Sequence, residues 1–157
     1  RVGNALGDGP LHAVLLVVRP IGRRNRCDGA LIAHAVEQLE AEIQLGQNAE
    51  LAETGVVYVP KSCTETPGCR IHIAFHGCQQ NREAVGNTFI NESGFARWAD
   101  TNRMIVLFPQ VADSPINPQG CWDWWGYTGP QYLTRDAPQI AAVNRMLDAL
   151  QASGGGA

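Results

Sequence analysis

The chain has 157 residues, enough for one domain with its own core, and its 45% hydrophobic and 17% charged residues indicate a globular rather than a disordered protein. Its net charge of −3 gives no electrostatic argument for binding nucleic acid or an anionic membrane. The longest uninterrupted apolar run, 13–18, has six residues, so no segment is predicted to span a membrane.

The first 50 residues are predicted to contain one strand and one helix. The apolar run 11–18 predicts a short strand, and the Arg-rich segment 19–26 predicts a solvated loop. A helix is expected to begin at Asp28 and to end at Gly46, because apolar residues recur there at three- and four-residue spacing. His34 lies inside this helix and is assigned no function.

Two β-strand patterns follow, one on each side of a turn that contains Cys63. Residues 55–60 form a strand pattern closed by Pro60, and residues 70–75 are mostly β-branched, aromatic or small, as expected in a covered sheet. The turn 61–68 between them predicts a hairpin, which a bridge between Cys63 and Cys69 would staple.

The next segment predicts a strand–helix–strand unit. Residues 83–90 predict a short helix, and Ser93 is the expected N-cap of another, in which Phe95, Trp98 and Ala99 face inward. The apolar run 104–108 then predicts a strand that Pro109 ends. Residues 70–108 therefore form a βαβ unit of the usual length, which predicts an α/β class with at least partly parallel strands.

After a loop at 111–120, the aromatic segment 121–127 leads to the last predicted helix. Asp136 and Pro138 mark the start of that helix, and residues 153–157 are expected to form a flexible tail. The apolar stripe of this helix is Ile140, Val143, Leu147 and Leu150.

A His-Gly turn directly after the strand at 70–75 is the first candidate site. Gly77 lets the backbone turn sharply, and the end of a central strand is where backbone N–H groups near Gly77 and Cys78 can meet a developing oxyanion. The alternative is that His76 and Gly77 only end a strand, because this dipeptide alone is a weak motif.

Three of the four Trp residues, Trp122, Trp124 and Trp125, fall within four positions. Three indoles so close together cannot all be buried on one side of a strand, and in a loop they form an apolar wall with N–H groups. Such a loop at the far end of a βαβ unit is typical of a pocket lining. The alternative is that the indoles cap the core.

Five Cys residues are present, and no two of them form a Cys-x-x-Cys pair, so no metal site and no cofactor are predicted. Two disulfides and one unpaired Cys are expected, which implies an oxidising compartment. Five buried thiols in a cytosolic protein are the alternative.

Two rare clusters occur in one order: His-Gly-Cys-Gln-Gln at 76–80 and Gly-Cys-Trp-Asp-Trp-Trp-Gly-Tyr at 120–127. Together they resemble the extracellular poly(3-hydroxybutyrate) depolymerase and esterase family, whose members are α/β-hydrolases with a Ser-His-Asp triad. The similarity covers about 54–150, with 1–50 divergent. It implies that 1–157 is one partial α/β-hydrolase domain, with a mainly parallel sheet flanked by helices.

The resemblance also implies roles for individual residues. The Cys78 N–H would be an oxyanion donor on the turn at Gly77, and Cys78 would pair with Cys121, which leaves Cys27 unpaired. The substrate-contacting residues would be Trp122, Trp124 and Trp125. His76 is expected to hold the turn through hydrogen bonds rather than act as a base. Asp123 could orient the aromatic loop or be the triad acid, and the resemblance assigns it to the loop.

The nucleophile of the family has no counterpart in this sequence. None of its four Ser residues, Ser62, Ser93, Ser114 and Ser153, lies in a Gly-x-Ser-x-Gly elbow. We expect the nucleophile upstream of Arg1, in the circularly permuted order known in the family, because the Gly-rich end at 154–157 resembles a natural C-terminus. The alternative is the ordinary order, in which the elbow would follow the last helix. In the permuted order His12 is the candidate base, and its alternative is a satisfied His at the start of a strand.

The expected function is that of a secreted, extracellular or periplasmic serine esterase acting on poly(3-hydroxybutyrate)-type polyesters or their oligomers. This segment would supply the oxyanion hole and the aromatic wall, and alone it would be inactive. A feruloyl-type esterase and a catalytically dead module that binds a polymer are the alternatives. No nucleic-acid or membrane partner is expected, and the chain is expected to be a monomer.

Overall fold

The computed structural model describes residues 49–66 and 68–154. Within them the chain forms three strands and five helices, in the order β1 (Val56–Tyr58), α1 (Lys61–Glu65), β2 (Arg70–Ile73), α2 (Arg82–Val85), α3 (Thr88–Glu92), α4 (Phe95–Asn102), β3 (Met104–Phe108) and α5 (Pro138–Gly154). The predicted strand at 11–18, the helix from Asp28, His12 and Cys27 lie outside the described residues.

The sheet has the strand order β1-β3-β2. β2 runs parallel to β3, with Arg70 opposite Met104 and Ile73 opposite Leu107, and helices α2 to α4 make the crossover between them. The βαβ unit and the α/β class predicted from the sequence are therefore confirmed. β1 pairs with β3 in the antiparallel direction, so the described sheet is mixed and not mainly parallel as expected.

The predicted hairpin is wrong, because β3 lies between β1 and β2. β3 is apolar at every position and largely buried, which suits a central strand, whereas β2 is exposed at Arg70 and half-buried along the rest of its length. The predicted turn at 61–68 contains the helical turn α1. The hairpin was predicted because β1 and β2 are close in sequence. The observed order instead places β3, the more apolar strand, at the buried centre of the sheet.

The two faces of the sheet pack against different helices, because successive strand residues point to opposite faces. One face packs on the last helix, α5, and the other on α3 and α4. The first cluster includes Val57, Leu107, Met146 and Leu150, and the second includes Val56, Val106, Phe108, Ile90 and Ala99.

The helix boundaries differ from the predicted ones in two places before β3. The helix expected over 83–90 is split into α2 and α3, since Gly86 adopts a φ of 58°. Ser93 ends α3 instead of capping α4, and Gly94, with a φ of 84°, is the N-cap. Trp98 is 53% exposed and does not face the core, unlike Ala99.

In α5 the helix begins at Pro138, close to the predicted start, and extends to Gly154, so the tail predicted from residue 153 is wrong at its first two positions. Ile140 is 42% exposed and lies off the buried stripe. The buried apolar residues described in α5 are Ala142, Val143, Met146, Ala149 and Leu150. Within the described ranges, no helix is long and apolar enough to cross a membrane.

Candidate active site

The His-Gly turn lies at the carboxyl end of β2, beside the carboxyl end of β3. The β2–β3 ladder continues for one residue, because the Ala74 N–H donates to the Leu107 carbonyl at 2.8 Å. His76 then reaches the chain just after β3, where it accepts the Val111 N–H at 3.1 Å. The turn therefore occupies the sheet edge at which α/β proteins bind their ligands.

His76 binds the main chain through both ring nitrogens. Since Nε2 accepts the Val111 N–H, the ring proton lies on Nδ1, which donates to the Gly77 carbonyl at 2.9 Å. The side chain is 3% exposed, and this burial lowers the pKa of His76 against the opposing effects of the Gly77 carbonyl and Asp113. His76 is thus a neutral residue that holds the turn.

Within the part of the chain that the structure describes, the turn 77–80 leaves one backbone N–H without an acceptor. The Gln80 N–H donates to the Gly77 carbonyl at 3.1 Å, and the Gly77 N–H donates to the Gln80 side chain at 2.9 Å. Gln79, with a φ of 59°, donates its N–H to the Gln119 carbonyl. Among the described residues no acceptor bonds the Cys78 N–H, and Cys78 is exposed. Of the two N–H groups expected to be available, that of Gly77 is already bonded, and only that of Cys78 remains a candidate donor.

Two disulfides join the cysteines in the expected pairs. Cys63 and Cys69 are bonded at an S–S distance of 2.07 Å, next to β1 and β2. Cys78 and Cys121 are bonded at 2.06 Å, with their Cα atoms 4.3 Å apart. The second bond links the turn 77–80 to residues 121–128, which we call the Trp loop.

Asp123 organises the Trp loop. Its carboxylate accepts the N–H groups of Trp125, Gly126 and Tyr127 on Oδ1, at 3.2, 2.6 and 3.1 Å. Oδ2 accepts the N–H and the hydroxyl of Thr128, at 2.9 and 2.6 Å. Burial raises the pKa of Asp123, but the bonds from Thr128 and the backbone outweigh it and leave the pKa lowered. Of the two roles considered for Asp123, this geometry favours loop orientation.

A buried polar network that the sequence analysis missed anchors the base of the Trp loop. Asn117, which is fully buried, accepts the Cys121 N–H at 2.9 Å and donates to the Cys121 carbonyl at 2.9 Å. From α5, Gln139 accepts the Asp123 N–H at 2.8 Å and donates to the Tyr127 hydroxyl at 2.7 Å. Asn and Gln in polar stretches give no signal in sequence, because only the fold reveals their burial.

The Tyr127 hydroxyl closes this network. It donates to the Cys121 carbonyl at 2.6 Å and accepts from Asn117 at 3.0 Å. Burial raises the pKa of Tyr127 to about 12, with the Gln139 bond opposing the shift and the charges of Asp123 and Glu50 adding to it. Tyr127 therefore stays protonated and keeps its donor role at neutral pH.

The three indoles do not form one continuous wall. Trp122 packs against the His-Gly turn, with its ring 4.8 Å from Phe75 and 5.7 Å from His76. Trp124 is 70% exposed and lies edge-on to Trp125 at 5.3 Å, and Trp125 packs on Tyr127 at 4.7 Å. One indole thus stands beside the Cys78 turn, and the other two form an exposed aromatic ridge.

Asn81 fixes the segment that leads into the Trp loop. Its buried side-chain amide donates to the Val111 carbonyl at 3.0 Å and to Asp113 at 2.7 Å, while its oxygen accepts the Ala84 N–H and caps α2. Gly120 lies against this group with a φ of 53°. The same residue therefore caps a helix and shapes the loop entrance.

The described residues contain no Ser–His hydrogen bond. The His72 ring packs on Phe95 at 5.1 Å, and both nitrogens of His76 bind the main chain. Ser62 has a buried hydroxyl without a partner in the described part of the chain, and the Ser114 hydroxyl accepts the Asn117 N–H. Within the same residues, no cluster of three His, Cys, Asp or Glu side chains could hold a metal ion.

Comparisons with known proteins identify similar chains over this region. No family model matches the chain. It is 40% identical over 111 residues to a poly(3-hydroxybutyrate) depolymerase of Delftia acidovorans, and 41% identical over 102 residues to a polyhydroxybutyrate depolymerase of Talaromyces funiculosus. These matches cover 69% and 57% of this chain, which spans only 22% and 30% of the two relatives.

Two solved structures also resemble the chain. One is a Ser-to-Ala variant of a PHB depolymerase in complex with an R3HB trimer, at a TM-score of 0.64 and 34% identity. The other is the PHB depolymerase from Penicillium funiculosum, at a TM-score of 0.63 and 34% identity. Each match covers 66% of this chain and 36% of the solved chain.

Proposed function

Because the chain belongs to the poly(3-hydroxybutyrate) depolymerase family, we propose that it supplies the oxyanion donor and the aromatic substrate wall of a serine esterase. The proposed substrates are poly(3-hydroxybutyrate)-type polyesters or their oligomers. One observation carries this proposal: the Cys78 N–H has no acceptor among the described residues and lies on an exposed turn that Trp122 flanks. We take the described residues to be part of one α/β-hydrolase domain.

The chemical role of Cys78 follows from the charge that develops in ester cleavage. When a nucleophile attacks the ester carbonyl, the carbonyl oxygen becomes an oxyanion, and a fixed N–H stabilises it without reorganisation. One such donor lowers the barrier by about 2.7–4 kcal/mol. The nucleophile itself would come from outside these 157 residues, since no Ser here lies in a Gly-x-Ser-x-Gly elbow.

Trp122 and the aromatic ridge suit an aliphatic polyester. Hydroxybutyrate units present methyl and methylene groups between ester carbonyls, so an indole can cover the apolar part while an N–H contacts a carbonyl. The related solved complex contains an R3HB trimer, which is a short form of the proposed substrate. We also propose that the protein works outside the cytoplasm, since disulfides persist in oxidising compartments.

A binding module without catalysis is the second candidate, and the exposed ridge favours it. Trp124 is 70% exposed, more than a pocket-lining residue needs, and Asp123 rigidly holds the backbone of the loop that carries it. A preorganised aromatic surface can adsorb a polymer without any reacting group.

Titration of the 15N-labelled chain with R3HB oligomers tests the proposal and separates the two candidates. For the esterase, we expect the oligomer to shift the Cys78 amide together with the Trp122 indole. Shifts confined to Trp124 and Trp125 would favour the binding module, and no shift at any of these residues would contradict both.

Two exposed Trp residues give a matched pair for the same measurement. Trp124→Ala removes a ring from the ridge, whereas Trp98→Ala removes a 53% exposed ring from α4, on another part of the surface. We expect only Trp124→Ala to weaken oligomer binding, by about tenfold if one ring contributes about 1.4 kcal/mol. An equal loss in both variants would show that binding is nonspecific.

A further inference from the structure

We propose that His76 is a positioning residue, which orients the peptide group between Gly77 and Cys78 so that the Cys78 N–H points out of the turn toward the substrate. The inference rests on the proposed function for its catalytic meaning, but its geometric part can be tested without any substrate. It concerns a residue that touches no reacting atom and acts through the peptide next to it.

The geometry of the peptide group supplies the first step. The Gly77 carbonyl and the Cys78 N–H belong to one peptide unit, and no described peptide bond is cis, so the two groups point in opposite directions. The carbonyl accepts two donors, Nδ1 of His76 at 2.9 Å and the Gln80 N–H at 3.1 Å. Fixing the carbonyl on one side therefore fixes the N–H on the other.

The tautomer of His76 supplies the second step. The Val111 N–H can bond only an unprotonated Nε2, which leaves the proton on Nδ1, facing the Gly77 carbonyl. The opposite tautomer would place two N–H groups against each other and leave the carbonyl without the His donor. Val111 follows β3 and is 1% exposed, so the orientation of the turn is tied to the central strand.

Packing holds the imidazole in this orientation. The residue is 3% exposed, and its ring centroid lies 6.4 Å from that of Phe89 and 5.7 Å from that of Trp122. It cannot rotate without breaking both hydrogen bonds, so neither nitrogen is free to act as a base or to donate to an oxyanion. The contribution of His76 to the site is the fixed direction of the neighbouring amide.

The wild-type chain with 15N-labelled His tests the tautomer directly. Long-range 1H–15N spectra at neutral pH should show His76 protonated at Nδ1 and unprotonated at Nε2. A ring protonated at Nε2, or one that exchanges between the two tautomers, would overturn the inference.

Two conservative variants separate positioning from general stability. His76→Asn places an amide donor near the position of Nδ1, and His76→Gln places an amide oxygen near the position of Nε2. Each keeps one of the two hydrogen bonds, so a purely structural role predicts similar effects. We expect the Gly77 carbonyl 13C shift to remain close to wild type in His76→Asn and to move upfield in His76→Gln.

If His76→Gln does not fold, the tautomer measurement and the His76→Asn spectrum still decide the question. A Gly77 carbonyl shift that moves as far in His76→Asn as in a variant lacking both bonds, His76→Leu, would overturn the inference. Retention of the shift in His76→Asn and its loss in His76→Leu would support it.

Oligomer titration of the same variants distinguishes failure of the inference from failure of the proposed function. A Cys78 amide that responds to R3HB oligomers in wild type and His76→Asn, but not in His76→Gln, supports both. Equal responses in all three chains overturn the positioning role and leave the function standing. No response in wild type overturns the function, and the tautomer and carbonyl measurements then decide the positioning of the peptide alone.

Discussion

Gly120 lies where the chain leaves the 111–120 loop and enters the disulfide at Cys121. A Cβ atom there would contact the amide nitrogen of Asn81 and come within 2.5 Å of the Asp113 carboxylate. Asn81 cannot move away easily, because it is 1% exposed and bonds the Val111 carbonyl and the Ala84 N–H. The residue is therefore restricted both by its φ of 53° and by the lack of space.

We predict that Gly120→Ala destabilises the chain more than Gly94→Ala. Both glycines have a positive φ, of 53° and 84°, so both variants carry the backbone strain of about 1–3 kcal/mol for a non-Gly residue there. No atom of the described residues lies within 4 Å of a Cβ at Gly94, whereas overpacking at Gly120 should add about 1–3 kcal/mol. Urea unfolding measures the difference, and equal losses would contradict the described contacts of Gly120.

Asp123 makes the Trp loop sensitive to acid. Its folded pKa lies below the ordinary value of 3.8, so the carboxylate stabilises the folded loop fully above about pH 4 and loses this effect as pH falls through the folded pKa. We predict a change in Trp fluorescence below pH 4 that is absent in Asp123→Asn. The same acid transition in the variant would show that another group causes it.

At the level of elements, the two disulfides differ in the loop that they close. Cys63 and Cys69 are six positions apart and join neighbouring segments, whereas Cys78 and Cys121 are 43 positions apart and join the turn 77–80 to the Trp loop. A longer closed loop removes more freedom from the unfolded chain. The second bond should therefore stabilise the fold more, in addition to placing Trp122 beside the turn.

We predict that replacing both Cys78 and Cys121 by Ala lowers the free energy of unfolding by about 4.0 kcal/mol, against about 2.4 kcal/mol for the Cys63 and Cys69 pair. The matched double variants control for the loss of two sulfur atoms. Denaturant unfolding gives both values, and the order of the two is the test. A larger loss at the Cys63 pair would mean that native packing, rather than loop closure, sets the effect.

The elements also show what could be predicted from the sequence. The continuous apolar run at 104–108 predicted β3 with its observed bounds, and the strand–helix–strand pattern predicted that β3 runs parallel to β2. Both patterns can be read from the sequence because each reflects the burial of a single continuous segment. The pairing of β1 with β3 could not be predicted, because it depends on which edge of the β2–β3 pair remains open in the folded chain. Buried Asn117 and Gln139 were missed for the same reason, as their burial arises from tertiary contacts.

For the whole molecule, the described parts of the site come from widely separated segments. The turn 77–80 follows β2, the Trp loop follows β3, and Gln139 reaches the loop from α5. The sequence singled out the His-Gly-Cys and Trp clusters as two parts of one candidate site, and the Cys78–Cys121 disulfide joins the two segments. The sequence could not show that Trp124 and Trp125 form a ridge separate from Trp122, because loop side chains follow no period.

The absence of a Ser–His pair within the described residues leads to the last prediction. The purified 157-residue chain should not release p-nitrophenol from a short-chain p-nitrophenyl ester at an enzymatic rate. A well-studied protease that lacks its triad still exceeds water by about 10³–10⁴-fold, but such a remainder is far below ordinary turnover. Single Ala variants of Ser62, Ser93, Ser114 and Ser153 serve as controls. Robust turnover that one of these variants abolishes would place the nucleophile inside the chain. That result would contradict the proposal that the nucleophile comes from outside these 157 residues, which agrees with the described His nitrogens binding no Ser hydroxyl.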